Sequence, residues 1–507
     1  MATSDRVPQG AIALDAIDPV AVSTTNDNLP PPSRDVKQND PFLVAFNEPY
    51  DADNPKDWPN KRKWAVTDVL SATGFNRILV STIMAPALST IASELHMSST
   101  ESALSLSIYL LATAFGPLFI GPLSEIYGRK AILHGSNIWF LIWNIACGFA
   151  NTKELLIGAR FLAGFGASAI YALGGGVLGD IWRPEERGRS LGWYLLIPLL
   201  GAAVGPIIGG FIAAYSTWRW MFWSTSIFQG LMIAVSFDVF HETYAPVILK
   251  KRAARLRKET ENDSYYTDHE RKTKDDSLVQ VIARSVSRPF RLLAFHPLVQ
   301  IIAVISAFDY GVLYIVLSSF ATLWTDRYHE PLQLSGLHYI ACALGEIAGS
   351  QVGSRLMDAL YRRMKSRNQD GEHLPEYRMP LSIPGALIGP IGLFIYGWTA
   401  QYEVHWIAVD IGIFICMFGF QIVGIPLSAY NIDAYPEHTA SVLAATQFLR
   451  SLTAFLFPLF TPSLYSTLGY GWGNSTIAFV SLVLILPAPA IIWFFGERLR
   501  MRAGSTL

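Results

Sequence analysis

Six ionisable residues stand inside long apolar runs of this 507-residue chain: Arg77, Arg160, Asp309, Glu346, Asp410 and Arg450. A charged side chain in hydrocarbon costs ~2.5–3.5 kcal/mol on the insertion scale, so each is a functional candidate by default. Together they could exchange protons. Burial favours the neutral acid, a neighbouring guanidinium favours the anion, and moving one relative to the other moves the proton. Asp309, with Glu346, is expected to carry it while a nearby Arg tunes its affinity. The competing expectation is a permanent Arg77–Asp309 or Glu346–Arg450 ion pair that holds helices in register. Seven aromatics, Tyr109, Tyr171, Trp193, Phe308, Tyr310, Tyr314 and Trp324, offer flat apolar faces, most with a polar tip. Such rings suit a bulky amphipathic ligand, although each one alone is equally a packing or lipid-facing residue.

The elements that position these residues are apolar runs of about 20 residues, the length that crosses ~30 Å of hydrocarbon. There are twelve, at about 65–92, 103–121, 131–150, 155–179, 190–214, 220–240, 297–324, 335–360, 381–400, 405–429, 440–463 and 475–495. The chain is 51% hydrophobic and only 16% charged, against roughly 25% charged in soluble domains. Its mean hydropathy is +0.31. The fold class expected is therefore an all-α polytopic membrane protein of twelve spans in two six-helix halves. Counting from span 1, Arg77 and Asp309 lie about thirteen and twelve residues in from the same side, at a similar height of ~18–20 Å.

Lys and Arg orient the chain. The segments joining spans 2–3, 4–5, 6–7 and 8–9 hold 2, 3, 12 and 5 of them, whereas the opposite set has only Lys153, Arg219 and Arg327. The positive-inside rule puts both termini in the cytoplasm. The expected organisation is a disordered tail over 1–62, a six-helix bundle over 63–240, a linker over 241–296, a second bundle over 297–495 and a short tail over 496–507. In the linker, six basic residues from Lys250 to Lys258 follow the apolar Pro246–Leu249. That pattern fits a helix on an anionic inner leaflet, or a solvated basic segment. The N-terminus lacks the charged start and apolar core of a signal peptide and, with Ala2, the myristoylation motif. Cys147, Cys342 and Cys416 lack paired spacing and read as small buried hydrophobes.

Two further groups carry information. Gly201, Gly205, Pro206, Gly209 and Gly210 make a small-residue face in span 5, suited to close helix approach and kinked at Pro206. Glu125 and Arg129 beside the 2–3 turn, with Asp180, Arg183 and Arg187 after span 4, could form a cytoplasmic ion-pair cluster that closes the inner face in one state. Solvated pairs are worth under ~1 kcal/mol, so such a gate needs partial burial.

The stretch Gly121-Pro-Leu-Ser-Glu-Ile-Tyr-Gly-Arg-Lys130, with Arg160-x-x-x-Gly164-x-Gly166 and Gly201-x-x-x-Gly205-Pro206-x-x-Gly209-Gly210, resembles the major facilitator superfamily. Within it the chain looks like the fungal twelve-span drug:proton antiporters, as Arg183–Arg189, Trp218-Arg-Trp220 and Glu242–Pro246 also suggest. Glu125, Ile126 and Ala163 depart from the usual residues of these motifs. The resemblance implies a central cavity walled by spans 1, 4, 7 and 10, with Arg77, Arg160, Asp309 and Asp410 facing it, and makes the span-5 face the antiporter motif.

The expected function is export of hydrophobic or amphipathic small molecules by proton antiport with alternating access, at the plasma membrane or the vacuolar one. No cofactor beyond the proton gradient is expected, and no metal. The expected partners are a small-molecule substrate, protons and the lipid bilayer, with no nucleic acid and no second copy. A polyamine antiporter is the alternative within transport, and a transporter-like membrane sensor the alternative of another class. No HExxH, GxSxG or P-loop motif is present, so the chain does not read as an enzyme.

Overall fold

The computed structural model describes residues 40–272, 278–367, 374–435 and 439–503. Each apolar run falls on helix. Span 1 is Asn60–Thr82, span 2 Ser99–Tyr127 and span 3 Arg129–Gly148. Span 4 is broken into Lys153–Ala167 and Ala169–Ile181, span 5 is Pro184–Tyr215 and span 6 is Arg219–Val239. Span 7 is Pro297–Thr322, span 8 Tyr339–Arg367, span 9 Ser382–Gln401 and span 10 Trp406–Ala434. Spans 11 and 12 share the helical stretch Thr439–Ile485, divided at Gly469, and Pro487–Ala503 continues span 12. The division has a local cause. Gly469 has φ +70°, where a side chain is strained, and a Cβ there would meet Gln401 Oε1 at 2.5 Å.

Eight helical stretches among the described residues are long and apolar enough to cross a membrane, one of them, Ser441–Arg500, holding both spans 11 and 12. Spans 3, 5 and 8 fall outside that set; spans 3 and 8 carry polar residues such as Asn137, Asn144, Glu346 and Gln351, and span 5 contributes only the shorter apolar stretch Leu200–Tyr215. Polar groups here find partners inside the protein. Asn144 Nδ2, for example, donates to Phe222 O, Thr225 Oγ1 and Ser226 Oγ at 2.9–3.0 Å. In lipid this internal satisfaction is obligatory.

Helix ends are set locally. Ser98 and Glu101 form a reciprocal capping box at the start of span 2. Gly128, at φ +97°, turns span 2 into span 3, and the Glu242 carboxylate occupies the space its Cβ would need. There Glu242 accepts from the first amides of span 3, Arg129 N at 2.9 Å and Lys130 N at 3.3 Å. An acid at a helix N-terminus neutralises its exposed N–H groups and dipole.

The cytoplasmic approach differs from expectation. Residues 44–59 are not a disordered tail. Asp51, 5% exposed, is gripped by Arg252 through Nη1–Oδ2 at 2.8 Å and Nη2–Oδ1 at 2.9 Å, while Arg252 Nη2 also reaches Asp53 Oδ2 at 2.8 Å. The basic linker segment is a helix, Ala245–Thr260, and Arg252 uses its charge on these aspartates rather than on a leaflet. A second linker helix, Leu278–Phe295, was not anticipated. Its Phe290 packs edge-on against Phe448 of span 11, centroids 4.9 Å apart. The expected disorder of residues 1–39 lies outside the described residues.

The span-5 glycines make the closest approaches. A Cβ on Gly201 would stand 2.7 Å from Phe75 O, on Gly205 2.4 Å from Thr82 Oγ1 and on Gly209 2.0 Å from Ile83 O, all on span 1 or at its end. Gly210 faces the other half of the chain, with Leu332 O at 3.1 Å. Gly209→Val should therefore cost about 1–3 kcal/mol by overpacking, read as a lower Tm in detergent, whereas Gly210→Val should leave Tm nearly unchanged. The Arg252 clamp holds the Asp51 carboxyl well below its ordinary value, chiefly through the side-chain hydrogen bonds. A depressed folded-state value stabilises the clamp above the ordinary carboxylate range and loses that stabilisation as pH falls through the folded value. Hydrogen exchange over 44–57 should accordingly stay slow from pH 7 to pH 5 and rise only below about pH 4; Asp51→Asn should exchange at least tenfold faster at pH 7.

Candidate functional site: a central chamber and its charges

A small pocket lies among spans 1, 2 and 4, lined by Arg77, Ser81, Tyr109, Thr113, Ile170 and Tyr171 among others. Two contacts join its wall to the second half: Thr113 Oγ1 donates to Ser451 Oγ at 3.0 Å, and Ser81 Oγ meets Tyr314 Oη at 3.4 Å. Tyr310 stacks edge-on with Tyr314 at 5.2 Å and lies within interaction reach of Tyr171.

The buried arginines of the first half are committed elsewhere. Arg77 donates to Asn137 Oδ1 and to Ala167 O. Arg160 is fully buried and donates to backbone carbonyls: Val80 O at 2.8 Å, Leu106 O at 3.2 Å, Ser105 O at 3.3 Å and Ser81 O at 3.5 Å. These bonds staple spans 1, 2 and 4. Arg77 does not form the ion pair with Asp309 that was the competing expectation; its Nη1 and Nη2 donate to Ala167 O and Asn137 Oδ1 of its own half. Arg160 does not appear in the chamber wall.

The acids gather in the second half. Both oxygens of Asp309 are buried and have no hydrogen-bond partner among the described residues. Arg450 is the cation within electrostatic reach of both Asp309 and Glu346, and its guanidinium lies over the Tyr310 ring at 4.3 Å. Glu346 is 9% exposed on span 8. Asp410, expected on the cavity wall, instead sits near the outer end of span 10, its Oδ2 at 2.8 Å from His338 Nδ1. Trp324 is likewise not in the wall: it stacks on His338 at 3.7 Å. Trp193 is exposed and donates to Asp68 Oδ1 at 2.9 Å, and Phe308 packs on Phe457 at 6.1 Å. Of the seven aromatics, Tyr109 and Tyr171 line the chamber, with Tyr310 and Tyr314 adjoining it.

The charges expected to form one cytoplasmic cluster fall into two groups. Arg129 Nε meets Asp180 Oδ2 at 3.4 Å, with Thr243 Oγ1 also donating to that oxygen at 3.3 Å. The Arg129 guanidinium lies 4.8 Å from the Tyr244 ring centroid. Glu125 is exposed and does not pair with Arg129, since the turn at Gly128 puts them on different helices. Arg183 leaves this group and bonds Asp57 Oδ1 at 2.8 Å. The side chain of Arg187 lies outside the described residues. Glu242 is the member that sequence reasoning missed; its place directly after span 6, in Glu242-Thr-Tyr-Ala-Pro246, was the available signal.

Comparison with known proteins agrees with this architecture. The family described as Major Facilitator Superfamily matches residues 70–458. A relative from Aspergillus flavus described as "Probable efflux pump mfs2" is 55% identical over 424 residues, 84% of this chain and 100% of that one. "Efflux pump vrtL" of Penicillium aethiopicum is 43% identical, covering 92% of each. Among solved structures, a partially occluded inward-open xylose transporter from E. coli superposes with TM-score 0.61 over 85% of this chain and 99% of that one. A bacterial homologue of the lysosomal transporter Spinster, inward-facing, gives 0.59 over 87% and 98%. At 15% and 14% identity these two speak for the fold alone. The helical order, the span-5 face and these matches agree: the chain is a multi-pass membrane transporter that belongs to the major facilitator superfamily.

Proposed function

We propose that this protein exports bulky, amphipathic small molecules from the cytoplasm in exchange for protons, by alternating exposure of the central chamber. The observation that carries the coupling is Asp309. A carboxylate taken out of water without a hydrogen-bond partner is costly as an anion, and binding a proton removes that cost. Arg450 is the cation placed to favour the anion, so rearrangement of spans 7 and 11 within the second half, which changes their distance, loads and unloads the proton. Glu346, sharing the same Arg, is the second acid of the exchange.

The direction and substrate class rest on the tyrosine-rich wall and on the relatives named as efflux pumps. The chamber wall carries the cation Arg77 and no carboxylate among its described residues, which favours amphipathic substrates over polyamines. The chain works as a single copy in the plasma membrane with both ends cytoplasmic, a placement supported by the distribution of Lys and Arg. Closure on the inner side involves Arg129, Asp180 and Glu242; closure on the outer side involves the span-5 face.

In proteoliposomes with an imposed pH gradient, flux of a fluorescent amphipathic dye should be proton-driven in the natural protein. It should fall at least tenfold in Asp309→Asn, and clearly though less in Glu346→Gln. Undiminished proton-driven flux in both variants would falsify the assignment. Arg450→Gln should uncouple differently: dye binding should persist while its dependence on pH shifts to higher pH, because the anionic form of the acids loses its stabilising cation.

A further inference from the structure

Arg77 is a buried cation with no carboxylate in ion-pair contact among the described residues. Its guanidinium is always protonated. Its side-chain hydrogen bonds run to neutral oxygens: Nη1 donates to Ala167 O at 3.3 Å and Nη2 to Asn137 Oδ1. Nε is buried without a partner, and so is Nδ2 of the bonded Asn137. Both orphaned atoms are donors, so the group they lack is an acceptor. A buried charge is costly unless paired, and neutral oxygens supply no counter-charge. The other two buried arginines differ. Arg160 spends its donors on the carbonyls of Ser105, Val80, Ser81 and Leu106, away from the pocket lining. Arg450 has the acids Asp309 and Glu346 within electrostatic reach. Of the three, Arg77 is the one that lines the pocket and lacks an acid.

The cation is also held in place. Tyr109 Oη donates to Arg77 O at 2.9 Å. The preceding residue, Asn76, donates through Nδ2 to Thr225 O and Gln229 Oε1, both at 3.1 Å, which pins span 1 to span 6 beside the guanidinium. A binding group fixed in this way costs a ligand little ordering. Around it, Tyr109 and Tyr171 present rings, Leu110 and Ile170 aliphatic surface, and Ser81 and Thr113 hydroxyls. Those two hydroxyls also bond carbonyls of their own helices, Ser81 Oγ to Ile78 O at 2.6 Å and Thr113 Oγ1 to Leu110 O at 2.7 Å. The guanidinium is thus the charged group that this apolar, aromatic wall offers a ligand.

Building on the export reading above, we propose that the cargo is an organic anion, an amphipathic aromatic molecule bearing a carboxylate or an ionised phenol, and that Arg77 binds its charged head. The guanidinium fork matches the two oxygens of a carboxylate, while the rings of Tyr109 and Tyr171 take the apolar body. The ligand supplies the counter-charge that the chain does not, and an organic cation meets repulsion at the same place. Binding makes and breaks no covalent bond. An anion leaving the cell and a proton entering it both carry positive charge inward, so an interior-negative potential drives both movements.

The test is equilibrium binding to the full chain in nanodiscs near neutral pH, read as fluorescence anisotropy against empty nanodiscs. The probes are 7-(diethylamino)coumarin-3-carboxylic acid, which is ionised there, and its uncharged primary carboxamide. The parent protein should prefer the carboxylate by at least about tenfold, the equivalent of one charge-assisted hydrogen bond. Arg77→Gln should bring that ratio to within about twofold of one, and Arg77→Lys, which keeps the charge, should restore a preference of about threefold or more. A parent ratio near or below one overturns the proposal, and so does a tenfold ratio that survives in Arg77→Gln; the parent ratio decides alone if that variant does not fold. No pH gradient is applied, so the binding result stands apart from proton exchange. Anion preference without proton-driven dye flux would refute the exchange function and support the site, whereas proton-driven flux of the carboxamide without anion preference would refute the site alone.

Discussion

A charge inside a bilayer must be answered within the protein, and the location of each answer decides what this molecule can do. Arg77 and Arg160 receive theirs from carbonyl and amide oxygens of the first six spans. Those bonds lie within the first half and do not depend on any carboxylate. Asp309 receives no such answer in this state. On the proposed reading, that asymmetry, hydrogen-bonded cations in one half and an unpartnered acid in the other, is what makes the bundle responsive to protons.

Movement needs surfaces that fit closely yet part. Span 5 serves both needs with adjacent glycines. A Cβ on Gly209 would stand 2.0 Å from Ile83 O of its own half, a separation no side chain tolerates, while one on Gly210 would stand 3.1 Å from the Leu332 carbonyl of the other half, tight but less so. On the proposed reading, one residue fixes the helix to its block and the next makes a separable seal. The end of the bundle at Gly128 shows the same economy: Glu242 caps span 3, fills the space beside Gly128 and sits next to the Arg129–Asp180 pair. Those charges are tied to the geometry of a helix end rather than forming a free surface cluster.

Much of this was legible beforehand. The spans follow from apolar length, which the bilayer dictates, and the small-residue face of span 5 from glycine spacing. What escaped was long-range partnership. Sequence depth put Arg77 level with Asp309, but depth says nothing about rotation around the helix axis, and Arg77 turns to Asn137 instead. Asp410 was placed on the chamber wall by analogy; His338, 72 residues away in sequence, claims it. Glu125 and Arg129 looked like helical neighbours until the left-handed Gly128 separated them. Arg252 read as a lipid-facing cation because its acidic partners, Asp51 and Asp53, stand some two hundred residues earlier. Apolar patterning is local and survives in one sequence; ion pairing is not local, and does not.

The central claim is that Asp309, buried and without a hydrogen-bond partner among the described residues, holds a proton. Infrared difference spectroscopy of the protein in lipid, comparing the parent with Asp309→Asn at neutral pH, measures it directly. The account requires a protonated-carboxyl C=O band in the parent that disappears in the variant. A parent spectrum in which removing Asp309 deletes only carboxylate bands at neutral pH would contradict it.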